Sequence, residues 1–325
     1  MQTIDYTHGI CAIDSGYVRD QMDAIHLIVE HDRVAIVDTG TNESVAAVLQ
    51  VLAQRGLSRE HVDFVLLTHV HLDHAGGAGR MMQEFLDARL VVHPRGVRHM
   101  IDPTQLMAGT IEVYGQEAAE RMYGVILPVA AERIIEATDG SSVLLAGRRL
   151  TFYDTPGHAR HHVCIQDELS GHLFTGDMFG LSYRELDHAG RQFVFPATTP
   201  IQFDPEAFHH SIERLMALQP GAAYLTHYGR VETPAALADD LLRLVDAHAK
   251  LGRSVAAMTD RGQRLARLRE GVTQLVVAEA AEKGWGLQGE ALLELMRMDI
   301  ELNAAGLLAW IEAKRSPEGL RSAPR

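Results

Sequence analysis

Between Thr68 and Gly77 the chain reads Thr-His-Val-His-Leu-Asp-His-Ala-Gly-Gly, which sets His69, His71, Asp73 and His74 within six positions of one another. Neutral imidazoles and a carboxylate are the ligands that zinc and comparable first-row ions take, and four of them on one short segment cannot lie far apart in space. A run of solvated surface histidines does not account for a motif that follows the apolar Phe64-Val65-Leu66-Leu67 and precedes a glycine pair. That context puts the ligands on a loop at a strand's C-terminal end, where open α/β sheets gather their functional groups.

Three later segments repeat the device. Asp154-Thr155-Pro156-Gly157-His158 turns out of a strand through Pro-Gly and presents His158; Phe174-Thr175-Gly176-Asp177 presents Asp177; Leu225-Thr226-His227-Tyr228-Gly229 presents His227. Each alone reads as an ordinary turn. In this order behind His-x-His-x-Asp-His they form one combined signal. Val65-Leu66-Leu67-Thr68-His69 and Tyr224-Leu225-Thr226-His227 are also alike, each a strand delivering a Thr-His pair.

The elements that must position these loops alternate between strand and helix. Ala24 to Val29 and Arg33 to Val37 flank the turn His31-Asp32 as a hairpin, and the second strand ends at Asp38-Thr39-Gly40. Periodicity predicts helices over Asn42 to Gln54, Gly79 to Leu86 and Ala207 to Leu218. It predicts strands over Phe64 to Leu67, Leu90 to Val92, Ser142 to Leu145, Leu150 to Tyr153, Val163 to Ile165 and His172 to Thr175, with Ala222 to Leu225 as a final one. A helical insertion is expected over about 96–137, and only helical periodicity follows Thr233. The domain reading is a catalytic domain over 1–230, a C-terminal helical region over 231–317 and a disordered tail over 318–325.

Composition narrows the setting. A chain of 325 residues with 46% apolar content can bury a substantial core. Its net charge of -13 argues against nucleic acid, which is gripped through basic patches. Cys11 and Cys164 are the only cysteines, too few for a disulfide framework or a thiolate metal site. The N-terminus has no basic stretch followed by an apolar one, and no apolar run is long enough to span a bilayer. A cytoplasmic protein acting on a small molecule is the expectation, with no membrane or nucleic-acid partner; a homodimer remains open.

On Asp38-Thr39-Gly40, the His69 to Gly77 motif, Thr155-Pro156-Gly157-His158, Gly176-Asp177 and Thr226-His227, the sequence resembles the metallo-β-lactamase-fold hydrolases over about its first 230 residues. The resemblance implies an α/β fold, the αββα sandwich, here with a helical insertion and a C-terminal helical extension. It implies two divalent ions, zinc first, with iron or manganese as alternatives that the ligand set also suits. By the family pattern His69, His71 and His158 hold one ion, Asp73, His74 and His227 the other, and Asp177 bridges them. Asp38 is no ligand in that pattern and supports the ligand loops from behind.

Two ions roughly 3.5–4 Å apart supply hydroxide at neutral pH and polarise a substrate oxygen, so no serine or cysteine nucleophile is required. Asp73, His158 and Asp177 are the residues expected to carry the catalysis. Cys164, inside a strand-like run, reads as core. His161 and His162 follow His158 closely enough to orient a ligand or touch substrate, while His31, His61, His172 and His209 are expected in turns or on helix faces, solvated.

The implied reaction is hydrolysis of an ester-like bond, a thioester or lactone, as in the glyoxalase II and lactonase branches. Lactonases of the family place a tyrosine shortly after the bridging aspartate; here Gly180 stands there and Tyr183 is the nearest tyrosine, a candidate substrate contact. Glyoxalase II would want a cationic cluster for glutathione, and Arg184 and Arg191 are isolated. The insertion carries Met100, Met107, Tyr114, Met122 and Tyr123, so Tyr114 is a further candidate contact in an adaptable apolar wall; packing or a dimer surface is the competing reading. Two other functions stay open at this point. One is a non-hydrolytic di-iron protein that binds or reduces oxygen, the other an effector-binding regulator with vestigial turnover.

Overall fold

Residues 2–315 are described in a computed structural model, and they divide into two units. The tail expected over 318–325 lies outside the described residues. The first unit runs from the N-terminus to Thr155 and adds His161–Asp177 and Gln219–Pro234. The second comprises Pro156–Arg160, Met178–Leu218 and the chain from Ala235 onward.

In the first unit the strands follow the apolar runs. They are β1 (Thr3–Asp5), β2 (Ile10–Asp14), β3 (Ala24–Glu30), β4 (Arg33–Val37), β5 (Val62–Leu66), β6 (Arg89–Val92), β7 (Ile134–Glu136), β8 (Ser142–Leu145), β9 (Arg148–Asp154), β10 (Val163–Asp167), β11 (His172–Gly176), β12 (Ala223–Leu225) and β13 (Gly229–Val231). Its helices are α1 (Val45–Gln54), α2 (Leu72–Ala75), α3 (Ala78–Glu84), α4 (Pro94–Ile101), α5 (Thr104–Tyr114) and α6 (Gln116–Tyr123).

β1 to β7 form one sheet in sequential order, and β13-β12-β11-β10-β9-β8 a second. Ile28, Ala35, Val37, Leu66 and Val91 of the first sheet share one buried cluster with Leu145, Leu150, Phe152, Val163, Phe174 and Tyr224 of the second. The two sheets therefore pack face to face, as strands with alternating inward side chains do. The first sheet's other face is covered by α1 and α3, through Val45, Val48, Val51 and Leu52, and through Met81 and Met82.

Strand direction decides where the loops emerge. β4, β5 and β6 are mutually parallel, so Asp38 and Thr68-His69, which follow β4 and β5, leave the same edge. In the second sheet β11 and β12 are parallel, which brings Asp177 and His227 out together. Cross-links join the sheets at this edge: the Val163 N–H donates to the Thr68 carbonyl and the Ala24 N–H to the Thr226 carbonyl, each at 2.7 Å.

Several expectations from the sequence need correction. The stretch 96–137 is α-helical only through α6; a loop, a single 3-10 turn at Ala131–Arg133 and the strand β7 complete it. Strands β1 and β2 precede the expected hairpin, and β13 follows β12, so Ala223–Leu225 is not the last strand. These strands are short, and their pairing in the sheet rather than local pattern makes them strands. Among the described residues no helix is long and apolar enough to cross a membrane.

The second unit holds α7 (Pro205–Ala217), α8 (Pro234–Ser254), α9 (Arg261–Lys283), α10 (Gly289–Leu295) and α11 (Arg297–Arg315). Asp204 caps α7, its Oδ1 accepting from Glu206 and Ala207 N–H at 3.1 and 3.2 Å, and Pro205 fills the first helical position. Leu268, Val272 and Val276 of α9, Leu292 of α10, Met296 at the junction after it, and Ile300, Ala304 and Leu307 of α11 are buried, as their helical spacing predicts. Asn303 anchors the preceding loop through the Thr198 N–H and the Pro196 carbonyl, both at 2.8 Å.

Candidate metal centre

His69 and His74 are buried, His71 and Asp73 half-buried, and α2 carries Asp73 and His74 on one short turn. His69 Nε2 lies 2.9 Å from His71 Nδ1. These two and Asp177 each offer a ligand atom within 4.8 Å of the others, and so do Asp73, His74 and His227. Asp177 also reaches the second trio: its Oδ1 is 3.1 Å from His74 Nε2 and 3.3 Å from His227 Nε2. Asp73 Oδ2 stands 3.7 Å from each of those nitrogens.

Asp177 needs the glycine before it. Gly176 has φ +47°, and a Cβ there would sit 2.6 Å from Thr68 Oγ1 and 2.8 Å from His162 Nε2. Only a residue without a side chain lets β11 deliver the carboxylate against the Thr68-His69 loop. Gly77 serves the same purpose below α2, where a Cβ would meet the Thr41 and Thr39 carbonyls at 2.6 and 2.9 Å.

Two carboxylates hold the imidazoles from behind. Asp38, 1% exposed, accepts from the Thr68 N–H at 2.8 Å, from the Thr68 hydroxyl at 2.8 Å and from the Thr226 hydroxyl at 2.9 Å. Its Oδ2 also faces His74 Nδ1 at 2.8 Å. The likeness of the two Thr-His strands thus has a structural reason, since both threonines bond the same carboxylate. Asp23, which no sequence pattern singled out, stands 2.7 Å from His227 Nδ1. Asp38 and Asp23 use the outer nitrogen of their histidine, and Nε2 of each points inward.

The electrostatics fit a cation site. Burial disfavours a charged His74, yet Asp177, Asp73 and Asp38 outweigh it and raise its pKa well above the ordinary value. His227 is raised in the same way, burial being overcome by Asp177 and Asp23. Asp23 itself is pushed up to about 6 by complete burial, with His227 pulling it back. Imidazole nitrogens fixed by carboxylates, and bridged by a further carboxylate, form the donor set that hard-to-intermediate divalent ions take.

His162 is buried with Nδ1 2.9 Å from the Thr155 hydroxyl, and its ring stacks on His69 at 5.0 Å. It backs the His69 ring. His161, also buried, lies 5.6 Å from the His71 ring. His172 is not solvated: it is buried in β11 beside the Tyr224 hydroxyl at 3.2 Å. Cys164 is buried, and burial pushes its thiol up to about 12, so it is no nucleophile.

Two candidates stand in the second unit. His158 follows Gly157, where a Cβ would collide with Phe208 backbone at 2.4 Å, and its Nδ1 is 2.9 Å from the Ala197 carbonyl. A donor bond there leaves Nε2 to accept a metal. Tyr183 is 1% exposed and donates its hydroxyl to Asp299 Oδ1 at 3.1 Å.

Comparison with known proteins bears on the family and the fold. The sequence profile described as "Metallo-beta-lactamase superfamily" matches residues 22–227. A metallo-beta-lactamase fold-containing protein of Sulfurisphaera tokodaii is 24% identical over 69% of this chain and 79% of its own. A hydroxyacylglutathione hydrolase of Xanthomonas campestris is 30% identical over 60% of this chain, and the match spans 55% of that enzyme. An atrochrysone carboxyl ACP thioesterase of Pseudocercospora fijiensis is 25% identical over 75% of this chain and 59% of its own. Among solved structures, a metallo-beta-lactamase family protein from Thermus thermophilus superposes with a TM-score of 0.65 at 22% identity, covering 94% of each chain. That likeness extends the shared fold over both units.

Proposed function

Because the chain belongs to the metallo-beta-lactamase superfamily and is a hydrolase of it, we propose that it cleaves a thioester or lactone in a small molecule at a centre of two divalent ions. The observation that carries the reading is the position of Asp177. Its carboxylate lies with His69 and His71 on one side and 3.1 and 3.3 Å from His74 and His227 on the other. In this reading His69, His71 and His158 hold the first ion, Asp73, His74 and His227 the second, and Asp177 both.

Bound there, the ions supply a nucleophilic water at neutral pH and polarise the carbonyl under attack. The chain's own groups do the rest. Asp38 and Asp23 keep Nδ1 of His74 and His227 protonated, so that each Nε2 presents a lone pair. Burial of His69, His74 and Asp177 limits competing solvent. Asp73, half-buried, is the carboxylate placed to orient the attacking water and accept its proton. Support for an acyl substrate comes from the relatives named as a hydroxyacylglutathione hydrolase and an acyl-carrier thioesterase, names that both denote hydrolysis of an acyl group.

The test is a panel of thioesters, lactones and phosphodiesters offered to protein loaded in turn with zinc, iron or manganese, with elemental analysis alongside. Two ions per chain and turnover of thioesters or lactones are expected. One ion per chain would overturn the binuclear reading, and phosphodiester turnover alone would overturn the substrate class. Oxygen consumption by the iron form without hydrolysis would favour a di-iron oxygen protein instead.

A further inference from the structure

Helix α5 contains no fully buried residue. Its half-buried positions Leu106, Met107, Thr110, Ile111 and Tyr114 recur at helical spacing and so share one face. Leu106 packs against the buried cluster beneath the first sheet, and Met107, Thr110, Ile111 and Tyr114 continue that face half-exposed. At its C-terminal end the Tyr114 ring meets Tyr123 of α6 edge-on at 6.1 Å. Tyr123 in turn stacks on Tyr17 at 5.8 Å, and their hydroxyls are 2.6 Å apart.

Tyr17 lies on the loop between β2 and β3, and that loop is closed at its base by the Ser15 N–H on the Asp23 carbonyl at 2.9 Å. The Asp14 carboxylate ties it further, accepting from the Gly16 and Gln21 N–H groups at 3.0 Å each. Asp23, at the end of the loop, is the residue that holds His227. The row of tyrosines therefore starts on the loop that carries Asp23, the partner of His227. Tyr17 and Tyr123 are buried, and only Tyr114 is open enough to be reached. Burial first, then the Asp73 carboxylate, raises the Tyr114 pKa, and Asp23 adds to this. Tyr114 consequently stays a protonated donor at any working pH.

We propose that Tyr114 donates its hydroxyl hydrogen to the substrate carbonyl oxygen on the Asp73 and His227 side of the centre, with Tyr123 and Tyr17 acting as positioning residues behind it. This rests on the acyl-hydrolase reading above and adds the group that stabilises the developing oxyanion, a place the family resemblance led one to seek at Tyr183. A preorganised donor of this kind acts mainly on the transition state.

Tyr114→Phe keeps the ring and removes the donor. With S-butyryl-N-acetylcysteamine and δ-valerolactone as probes, it is expected to lower kcat by about 100-fold with KM nearly unchanged. Metal content should match the parent protein. Tyr17→Phe, two rings behind Tyr114, should lower kcat by less. Independently of turnover, butylboronic acid, whose tetrahedral hydroxide adduct carries the geometry of the addition step, should bind metal-loaded Tyr114→Phe about tenfold more weakly by calorimetry. A boronate affinity equal to the parent's, an unchanged kcat, or loss of metal from Tyr114→Phe would each overturn the assignment. If the parent hydrolyses neither probe, the acyl-hydrolase reading fails and the boronate comparison still decides the role of Tyr114.

Discussion

Replacing Asp38 by Asn tests whether this buried carboxylate sets the metal affinity of a site it does not enter. The Thr68 N–H, 2.8 Å from Oδ1, cannot reverse its polarity, so the amide oxygen must take that position. The amide NH2 then faces His74 Nδ1 where Oδ2 stood at 2.8 Å. The Thr68 and Thr226 hydroxyls can rotate to accept, but His74 can satisfy the amide only by moving its own proton to Nε2, the atom aimed at Asp177. A metal must then displace that proton or break the new hydrogen bond. The lost bond is charge-assisted and buried, which is worth about 1.5–3 kcal/mol, or roughly 10- to 150-fold in affinity. Competition with a chromophoric chelator should show one ion weakened by about that factor and the other changed little. Melting of the metal-free variant would confirm that it still folds. Both ions held within about twofold of the parent by a folded Asp38→Asn would refute the argument that Asp38 fixes the His74 tautomer.

Asp177→Ala, removing the carboxylate shared by both trios, should loosen both ions together in the same chelator titration, whereas Asp73→Ala should loosen only one. Cys164→Ser should leave kcat within a few-fold of the parent, because the thiol is buried against Thr155 and the Thr175 carbonyl and takes no part in the chemistry. Gly306→Ala would force a Cβ to 1.6 Å from the Thr198 carbonyl oxygen, and urea unfolding should show a loss of about 1–3 kcal/mol. Burial lowers His248 to about 4, so between that value and the unfolded-state value near 6.5 the unfolded chain binds the extra proton. Its stabilising effect is therefore complete above about pH 6.5 and lost as the pH falls toward 4, by roughly 3 kcal/mol at most. Urea unfolding of His248→Leu with excess chelator should show a shallower loss over that range.

The ligand loops could be read from sequence because their signals are local. His69, His71, Asp73 and His74 fall within six positions, and His158, Asp177 and His227 each follow a strand-like run through a recognisable turn. The hairpin of β3 and β4 and the helices after Thr233 were equally legible, since periodicity depends only on neighbours along the chain. Strands β1, β2, β7 and β13 were not: unlike β12, which a continuous apolar run marks, they carry no local pattern strong enough to read and become strands when a partner supplies hydrogen bonds. The same limit applies to the site. Parallel pairing of β4 with β5 and of β11 with β12, together with the packing of one sheet on the other, brings Asp38 to Thr226 and Asp177 to His74. Asp23 becomes the holder of His227, and Tyr17 the partner of Tyr123 across more than 100 positions, solely through that topology. Residue types and turns determine which groups can bind a metal; long-range strand order decides which of them meet, because contacts between distant segments are fixed by tertiary packing and leave no trace in local spacing.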